Sequence, residues 1–157
     1  DPRFRNTVIL MLEHNKDGAF GLIINRPLGF AEFEIESKQE GEGMLPINRT
    51  LVFGGGPVEL GKSFIIHSTD YDNKGTVKVT DSVWMTANIE ILRAITSGKG
   101  PKQVLHVIGY SGWAPGQLET EIKRNDWYTS PITSELVFGE KQEGKWEKAL
   151  EERYRDL

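Results

Sequence analysis

The stretch GYSGWAPGQLETEIKRNDW, residues Gly109–Trp127, contains three glycines and a proline together with two tryptophans and a tyrosine. Loops are usually polar, and large rings beside glycines instead indicate a pocket wall or backbone packed closely on a core. The stretch follows an apolar run, Gln103–Ile108, that predicts a buried strand. It also contains Leu118 and Ile122, which would share one face of a helix. We therefore expect it to join a strand to a helix, with its two tryptophans mostly buried.

Further strands are predicted from short apolar or alternating runs that end at turn-forming residues. Asp17-Gly18 between two such runs is a strong hairpin signal, and Pro27 is expected to end the second strand of that hairpin. The predicted strands, besides the one at 103–108, are Thr7–Leu12, Ala19–Asn25, Leu51–Phe53, Ser63–His67, Thr76–Thr80 and Glu135–Phe138.

Several segments have helical character. An apolar stripe at helical spacing follows Thr86, its predicted cap, and ends at Gly98. A second helix is expected to start at Pro115, and a charged helix covers Lys145–Arg155. The acidic region Ala31–Pro46 is less regular, and we expect a short amphipathic helix there followed by a mobile loop, with a lid as the alternative.

The composition fits one globular domain over residues 1–157 and argues against several classes of protein. Apolar residues make up 38% of the chain, charged residues 27%, and the net charge of −4 argues against a dedicated binder of nucleic-acid backbones. No apolar run reaches the ~20 residues of a membrane-spanning helix. The lack of cysteine excludes disulfides, thiolate nucleophiles and cysteine-ligated metals. We expect a soluble cytoplasmic domain without a cofactor, and a short native segment before Asp1.

Few side chains in the sequence are candidates for a catalytic or metal-binding role. His14 and His67 fall at strand ends and, together with Asp17 or Asp70, could form an acid–base pair or a metal site, but no known metal-ligand spacing is present. His106 lies inside an apolar strand and is predicted to be packed and hydrogen-bonded. Ser111 in GYSG resembles a hydrolase nucleophile elbow only in outline, because the elbow has one residue between the serine and the second glycine.

The run Gly54–Gly56 precedes a proline and matches neither a P-loop nor a dinucleotide-binding motif. Its successive amides could form an anion nest, or the glycines could permit positive φ and close strand crossing. Asn25-Arg26 also ends a strand before a proline. We therefore hypothesise that the two loops lie side by side and hold an anion; in the alternative, Arg26 is solvated or paired with Glu59.

Four motifs together resemble the AlgH/YqgE-like family of uncharacterised bacterial proteins: EHNKDGAFGLIINRPLG, VFGGGPVE, HS and GYSGWAPGQLETEIKRNDW. The match covers nearly the whole chain and is weakest over Ala31–Arg49. The resemblance implies an α+β fold, in which a strongly curved, bifurcated, mostly antiparallel β-sheet forms a pseudo-barrel with helices packed outside. The family carries the label of a transcriptional regulator, and the resemblance supplies no catalytic residues.

Two functions remain open at this stage. The first is a non-enzymatic binding or regulatory module that acts through a protein partner or a small anionic ligand. The alternative is an enzyme of unknown class that acts on a small anionic molecule with His14 or His67 as the acid–base group. Direct DNA binding is the function that the sequence favours least. The predicted site consists of His14, Asn25, Arg26, Gly54, Gly55, Gly56, His67, Tyr110 and Trp113.

We expect the protein to bind duplex DNA weakly and without sequence preference, because its net charge is −4 and its sequence shows no helix-turn-helix pattern. The measurement is a titration, at physiological salt, of a labelled promoter duplex and a scrambled duplex of equal composition. A tight complex with the promoter but not with the scrambled duplex would contradict the prediction.

Overall fold

The computed structural model describes residues 1–37, 40–41, 43–45, 48–139, 141 and 143–155, without the side chain of residue 48. A 3₁₀ turn at Pro2–Phe4 and a π-helical turn at Glu135–Gly139 accompany the strands and α-helices. None of the helices in these ranges could cross a bilayer, since the longest has eight residues. The strands and helices are β1 (Ile9–Asn15), β2 (Gly18–Ile23), β3 (Pro27–Phe33), β4 (Asn48–Gly54), β5 (Val58–His67), β6 (Thr76–Lys78), β7 (Trp84–Thr86), α1 (Ile89–Thr96), β8 (Val104–Trp113), α2 (Gln117–Lys123) and α3 (Lys145–Glu151).

The first residues of the Gly109–Trp127 stretch belong to a strand rather than to a loop. The strand predicted at 103–108 continues to Trp113. It does so because residues 111–113 pair with β2, which supplies their backbone with partners. The predicted helix then follows as α2, and Leu118 is buried on it as expected.

The whole sheet is organised around β8. Its strands follow the order β1-β2-β8-β5-β7-β6 with antiparallel pairing, while β4 joins β8 in parallel and forms a hairpin with β3. β5 occupies one edge of β8. The other edge is shared, because β4 pairs with residues 106–108 and β2 with residues 111–113. The sheet is therefore bifurcated, and it curls into a half-barrel, which confirms the expected α+β fold.

The two branches separate at Gly55, which we call the fork. Its N–H donates to the carbonyl of Ile108 at 2.8 Å, and its own carbonyl accepts from Ile23 N–H at 3.0 Å and from the Ser111 hydroxyl at 3.1 Å. Gly55 thus bonds to both strands that flank it. A Cβ atom on Gly55 would lie 2.3 Å from the carbonyl oxygen of Gly109, so this crossing requires glycine.

A cluster of buried apolar side chains holds the sheet against the π-helical turn. Each fully buried Leu, Ile or Phe stabilises the fold by about 1.5–3 kcal/mol relative to an exposed one. The cluster therefore ties strands from both branches together with the turn. Its members are Leu10, Leu22, Ile24, Phe53, Phe64, Ile66, Val83, Met85, Val107 and Val137.

The region Ala31–Pro46 contradicts the predicted amphipathic helix. Residues 31–33 complete β3, and Glu36 bridges to Met44, so the chain forms a hairpin here. The physical reason is the alternation AEFEIE, which has the period of a strand. Phe33 stacks on His106 with a centroid distance of 4.8 Å. Residues 38, 39, 42 and 46 of the region lie outside the described residues.

His106 is packed and hydrogen-bonded, as predicted. Its side chain is buried, and Nε2 lies 3.1 Å from the Ser63 hydroxyl. Burial lowers the pKa of His106 to about 4, so the imidazole is neutral at pH 7. This histidine is a structural part of β8.

Glu135–Phe138 is not the predicted strand but most of the π-helical turn. Leu136 and Val137 are both buried although they are adjacent, which a strand with one solvated face does not allow. The Thr133 hydroxyl accepts from Leu136 N–H at 3.0 Å and so caps the turn.

Two predicted boundaries also fail. Thr86 does not cap α1, because it belongs to β7, a strand that was not predicted from the sequence. The cap is Asn88, whose Oδ1 accepts from Ile91 N–H at 3.3 Å. Pro27 begins β3 instead of ending the preceding strand. Its missing N–H is tolerated because β3 pairs on one side only, with β4.

Lys145 is the largest of the fully buried side chains in the described part of the chain, and only 2% of it is exposed. Nζ donates to the carbonyls of Val137 at 2.6 Å and Ile24 at 3.4 Å, and it lies 5.7 Å from the centroid of the Phe53 ring. Within the described residues it has no carboxylate partner. Burial is therefore the main influence on the ammonium group, and it lowers the pKa of Lys145 to about 8.

The pKa of Lys145 is about 8 in the folded state and 10.5 in the unfolded state. Between pH 8 and pH 10.5 the unfolded chain therefore binds a proton that the folded chain does not, and this binding favours unfolding. We expect the free energy of unfolding to rise from pH 8 to pH 10.5, by up to about 3 kcal/mol from this group. Urea unfolding at several pH values checks this. Lys145→Met should remove the rise, whereas Lys99→Met, at an exposed position, should retain it; equal slopes in the two variants would contradict the account.

Candidate functional site

A half-buried carboxylate organises the surface beside β8. Glu121 on α2 accepts hydrogen bonds through Oε1 from the indole N–H of Trp113 at 3.1 Å and of Trp127 at 2.9 Å. Its Oε2 accepts from the Gln117 amide at 2.9 Å. The carboxylate thereby fixes both indole rings, which meet edge to face at a centroid distance of 6.2 Å.

The charge of Glu121 is stabilised mainly by neutral donors. Burial raises the pKa of its carboxyl, but the hydrogen bonds from Trp127, Gln117 and Trp113, with the nearby charge of Arg124, outweigh this effect. The pKa therefore lies below its usual value, and Glu121 is ionised at neutral pH. It is suited to holding rings in place rather than to transferring protons near pH 7.

The N-terminal segment of the described chain, residues 1–8, lies over these rings. Phe4 contacts Trp127 at a centroid distance of 5.8 Å and Trp113 at 6.4 Å. Two residues of the predicted site hold the segment in place. Asn25 donates to the carbonyl of Asn6 at 3.0 Å and accepts from Val8 N–H at 2.8 Å, and the Arg26 guanidinium donates to the carbonyl of Arg3.

A cavity of about 1060 Å³ opens between this segment, α2, residues 126–132 and α3. We call it the indole cavity, because three of the four tryptophans line it: Trp113, Trp127 and Trp146. Its walls are mainly apolar, and charged groups lie among them. The Arg5 guanidinium is exposed and forms no hydrogen bond or ion pair within the described residues, whereas Arg124 is paired with Asp126 at 2.7 Å.

The loops at Asn25-Arg26 and Gly54–Gly56, which were expected to lie side by side, are in contact. Gly54 N–H donates to the carbonyl of Arg26 at 2.9 Å. Two of the three glycine amides, however, are occupied: Gly54 N–H binds the Arg26 carbonyl and Gly55 N–H binds the Ile108 carbonyl. Gly56 packs so closely on Tyr110 that a Cβ atom would lie 2.3 Å from its carbonyl. These contacts are those of strand crossing, the alternative to an anion nest, and the anion site stays a hypothesis.

His67 lies away from the indole cavity, at the end of β5 that pairs with Val104. It is fully buried, and Nδ1 donates to the Ser68 carbonyl at 2.7 Å, because a carbonyl can only accept. Nε2 then accepts from the Thr86 hydroxyl at 2.7 Å. Burial lowers the pKa of His67 and keeps it neutral. It does not meet His14.

His14 and Tyr110, two further residues of the predicted site, lie apart from each other and do not line the indole cavity. His14 Nε2 lies 2.7 Å from Glu119 Oε1, and both groups are partly exposed, so this pair links β1 to α2. The Glu119 pKa is lowered mainly by that hydrogen bond. Tyr110 contacts the rings of Phe20 and Phe64 on neighbouring strands. Of the nine predicted residues, only Trp113 lines the indole cavity, and Asn25 and Arg26 support its edge.

Glu121 and Phe4 are among the residues of this site that were missed from the sequence. Glu121 carries a detectable signal, because Gln117 and Glu121 are four residues apart on one helix. Phe4 carries none, since its contact with rings more than a hundred residues away depends on the fold. Trp127 was predicted as buried and structural; it is half-buried, whereas Trp113 is buried as expected.

A curled α+β sheet that splits at a glycine crossing defines the class of this protein, and comparison with known proteins identifies its family. A model of the AlgH-like family matches residues 1–157, and the chain belongs to that family. A UPF0301 protein of Cereibacter sphaeroides is 45% identical over 148 residues, covering 93% of this chain and 80% of the relative. One of Rhodospirillum rubrum is 43% identical over 151 residues, covering 96% and 79%.

Solved structures show the same fold. The solution structure of AlgH from Pseudomonas aeruginosa superposes with a TM-score of 0.75 at 29% identity and covers 97% of this chain and 81% of that one. A crystal structure from Corynebacterium diphtheriae gives a TM-score of 0.55 at 18% identity, with 82% and 68% covered. The family resemblance read from the sequence is thus confirmed.

Glu121→Ala should destabilise the protein by about 2–3 kcal/mol, because it leaves two indole N–H groups without their acceptor. Chemical denaturation measures the loss, and near-UV circular dichroism should show altered tryptophan signals. The matched control is Glu119→Ala on the same helix, which removes only a partly exposed pair and should lower stability much less. Equal losses in both variants would show that Glu121 does not anchor the rings.

Proposed function

We propose that this protein is a non-enzymatic, cytoplasmic binding module whose ligand site is the indole cavity. The observation that carries the proposal is the cavity itself: about 1060 Å³, walled by three tryptophans, two of which are fixed by one carboxylate. Ligand sites are typically concave and apolar, with a small number of oriented polar groups. Fixed rings lose little entropy when a ligand packs on them, so the site is preorganised.

The walls indicate the chemical class of the ligand. An apolar or aromatic body would pack on the indoles, while Arg5, which is unpaired within the described residues, would bind one anionic group at the rim. A small amphipathic anion therefore fits better than a purely polar metabolite. A protein partner that inserts an apolar side chain beside a carboxylate would use the same chemistry.

An enzymatic role at this site has less support. The described lining residues include no histidine, and the His14–Glu119 pair, although well formed at 2.7 Å, does not line the cavity. His67 is fully buried, and two of the three glycine amides are used by backbone carbonyls. A role as a regulator would accordingly act through ligand or partner binding rather than through direct contact with DNA.

Titration with 8-anilinonaphthalene-1-sulfonate, an apolar anion, tests the proposal. We expect saturable binding that shifts the indole N–H resonances of Trp113, Trp127 and Trp146 in NMR spectra. Trp84 is the internal control, because it packs under the Lys78 ammonium and does not line the cavity. Shifts of all four indoles, or of Trp84 alone, would contradict the assignment.

A cavity-filling variant sharpens this test. Ala149 lines the cavity, so Ala149→Phe should weaken binding at least about tenfold by occupying the space of the probe. Ala114→Phe adds the same ring at an exposed position outside the cavity and should bind as the wild type does. Undiminished binding by a folded Ala149→Phe protein would rule out the indole cavity as the site.

A further inference from the structure

A second cavity, of about 730 Å³, shares Trp113 with the indole cavity as a lining residue. Three rings on adjacent strands line it: Phe20 on β2 and Tyr110 on β8 are partly exposed, and Phe64 on β5 is buried behind them. Tyr110 meets Phe20 at a centroid distance of 5.8 Å and Phe64 at 6.2 Å, both edge to face. We call these residues the aromatic row.

The rim of this cavity is acidic. Three carboxylates line it, from Glu13, Asp17 and Glu59, against a single ammonium group, from Lys62. Two of the carboxylates come from the β1–β2 hairpin and one from β5. The cavity thus combines exposed negative charge with the faces and edges of aromatic rings, and both features favour a cation over an anion.

The backbone of β5 is distorted where it supplies this rim. Its pairing with β8 is interrupted between Val58 and Ser63, and Glu59 adopts a positive φ of 47°. Non-glycine residues rarely adopt this conformation, and such strain is common where a side chain must project in a particular direction. Here the distortion carries both Glu59 and Lys62 to the cavity.

The chain places one of its own ammonium groups on the aromatic row. Lys62 Nζ lies 5.4 Å from the centroid of the Phe64 ring, and within the described residues it forms no ion pair with a carboxylate. An ammonium group therefore already occupies the position that a cationic ligand would take. Lys62 acts as an internal competitor for this position.

We propose that this cavity is a binding site for organic ammonium ions, which lie on the aromatic row and are neutralised by the carboxylates of the rim. The proposal is independent of the indole cavity, whose ligand is an apolar anion. The ammonium group could belong to a free amine or to a lysine side chain of a protein partner, because both present the same chemistry.

The test compares choline with 3,3-dimethylbutan-1-ol, which has the same shape without the charge. Choline should produce saturable NMR shifts of Phe20, Phe64 and Tyr110, and the alcohol should produce none. Lys62→Met should strengthen choline binding about two- to fivefold, because it removes the internal competitor. Equal binding of the alcohol, or weaker choline binding by folded Lys62→Met, would overturn the proposal.

The role of the rim is tested separately with amide variants. Glu59→Gln and Asp17→Asn should each weaken choline binding about two- to fivefold. Asp81→Asn is the control, since it makes the same charge change at an exposed position outside the cavity. Equal effects of all three variants would mean that only net charge matters, and the site would be rejected.

A second probe, Nα-acetyl-lysine methylamide, distinguishes the two sources of the ammonium group. Binding at the aromatic row tighter than that of choline would assign the site to a lysine of a partner protein. Weaker binding at the same residues would assign it to free ammonium compounds. Absence of binding by both probes would overturn the proposal without affecting the indole cavity.

Discussion

Gly55 makes the backbone contacts on which the rest of the fold depends. It bonds to β8 through its N–H and to the end of β2 through its carbonyl, at the point where β4 stops pairing with β8. There is no room at this crossing for a side chain, because the carbonyl of Gly109 approaches too closely. Both branches of the sheet, and the cavities beside Trp113, are positioned by this one close approach.

The second organising contact is electrostatic. Glu121 is stabilised largely by hydrogen bonds from uncharged groups, so its negative charge is available to orient dipoles rather than to form an ion pair. The result is a rigid pair of indoles next to open space. A buried lysine on α3 shows the reverse arrangement, in which a cation is held by backbone carbonyls. In both cases the polypeptide solvates a charge with neutral groups.

Local patterns in the sequence predicted much of the fold, but they did not predict how the residues of the site come together. The hairpin, β5, β8 and α2 follow from periodicity and turn residues, and the alternation AEFEIE could have identified β3. His67 was expected to project from a strand end, yet the last four residues of β5 are all buried, so its end is covered on both faces. The role of Gly54–Gly56 and the contact of Phe4 with the indoles depend on long-range packing, which spacing along the chain does not encode.

Trp113 has a further consequence because its side chain belongs to the walls of both cavities. If both proposed sites bind their ligands, a molecule that changes the position or mobility of this ring in one cavity would change the free energy of binding in the other. Such coupling would be reciprocal, so that each ligand would change the affinity of the other by the same factor. The proposed anion site and the proposed cation site would then be linked through one indole.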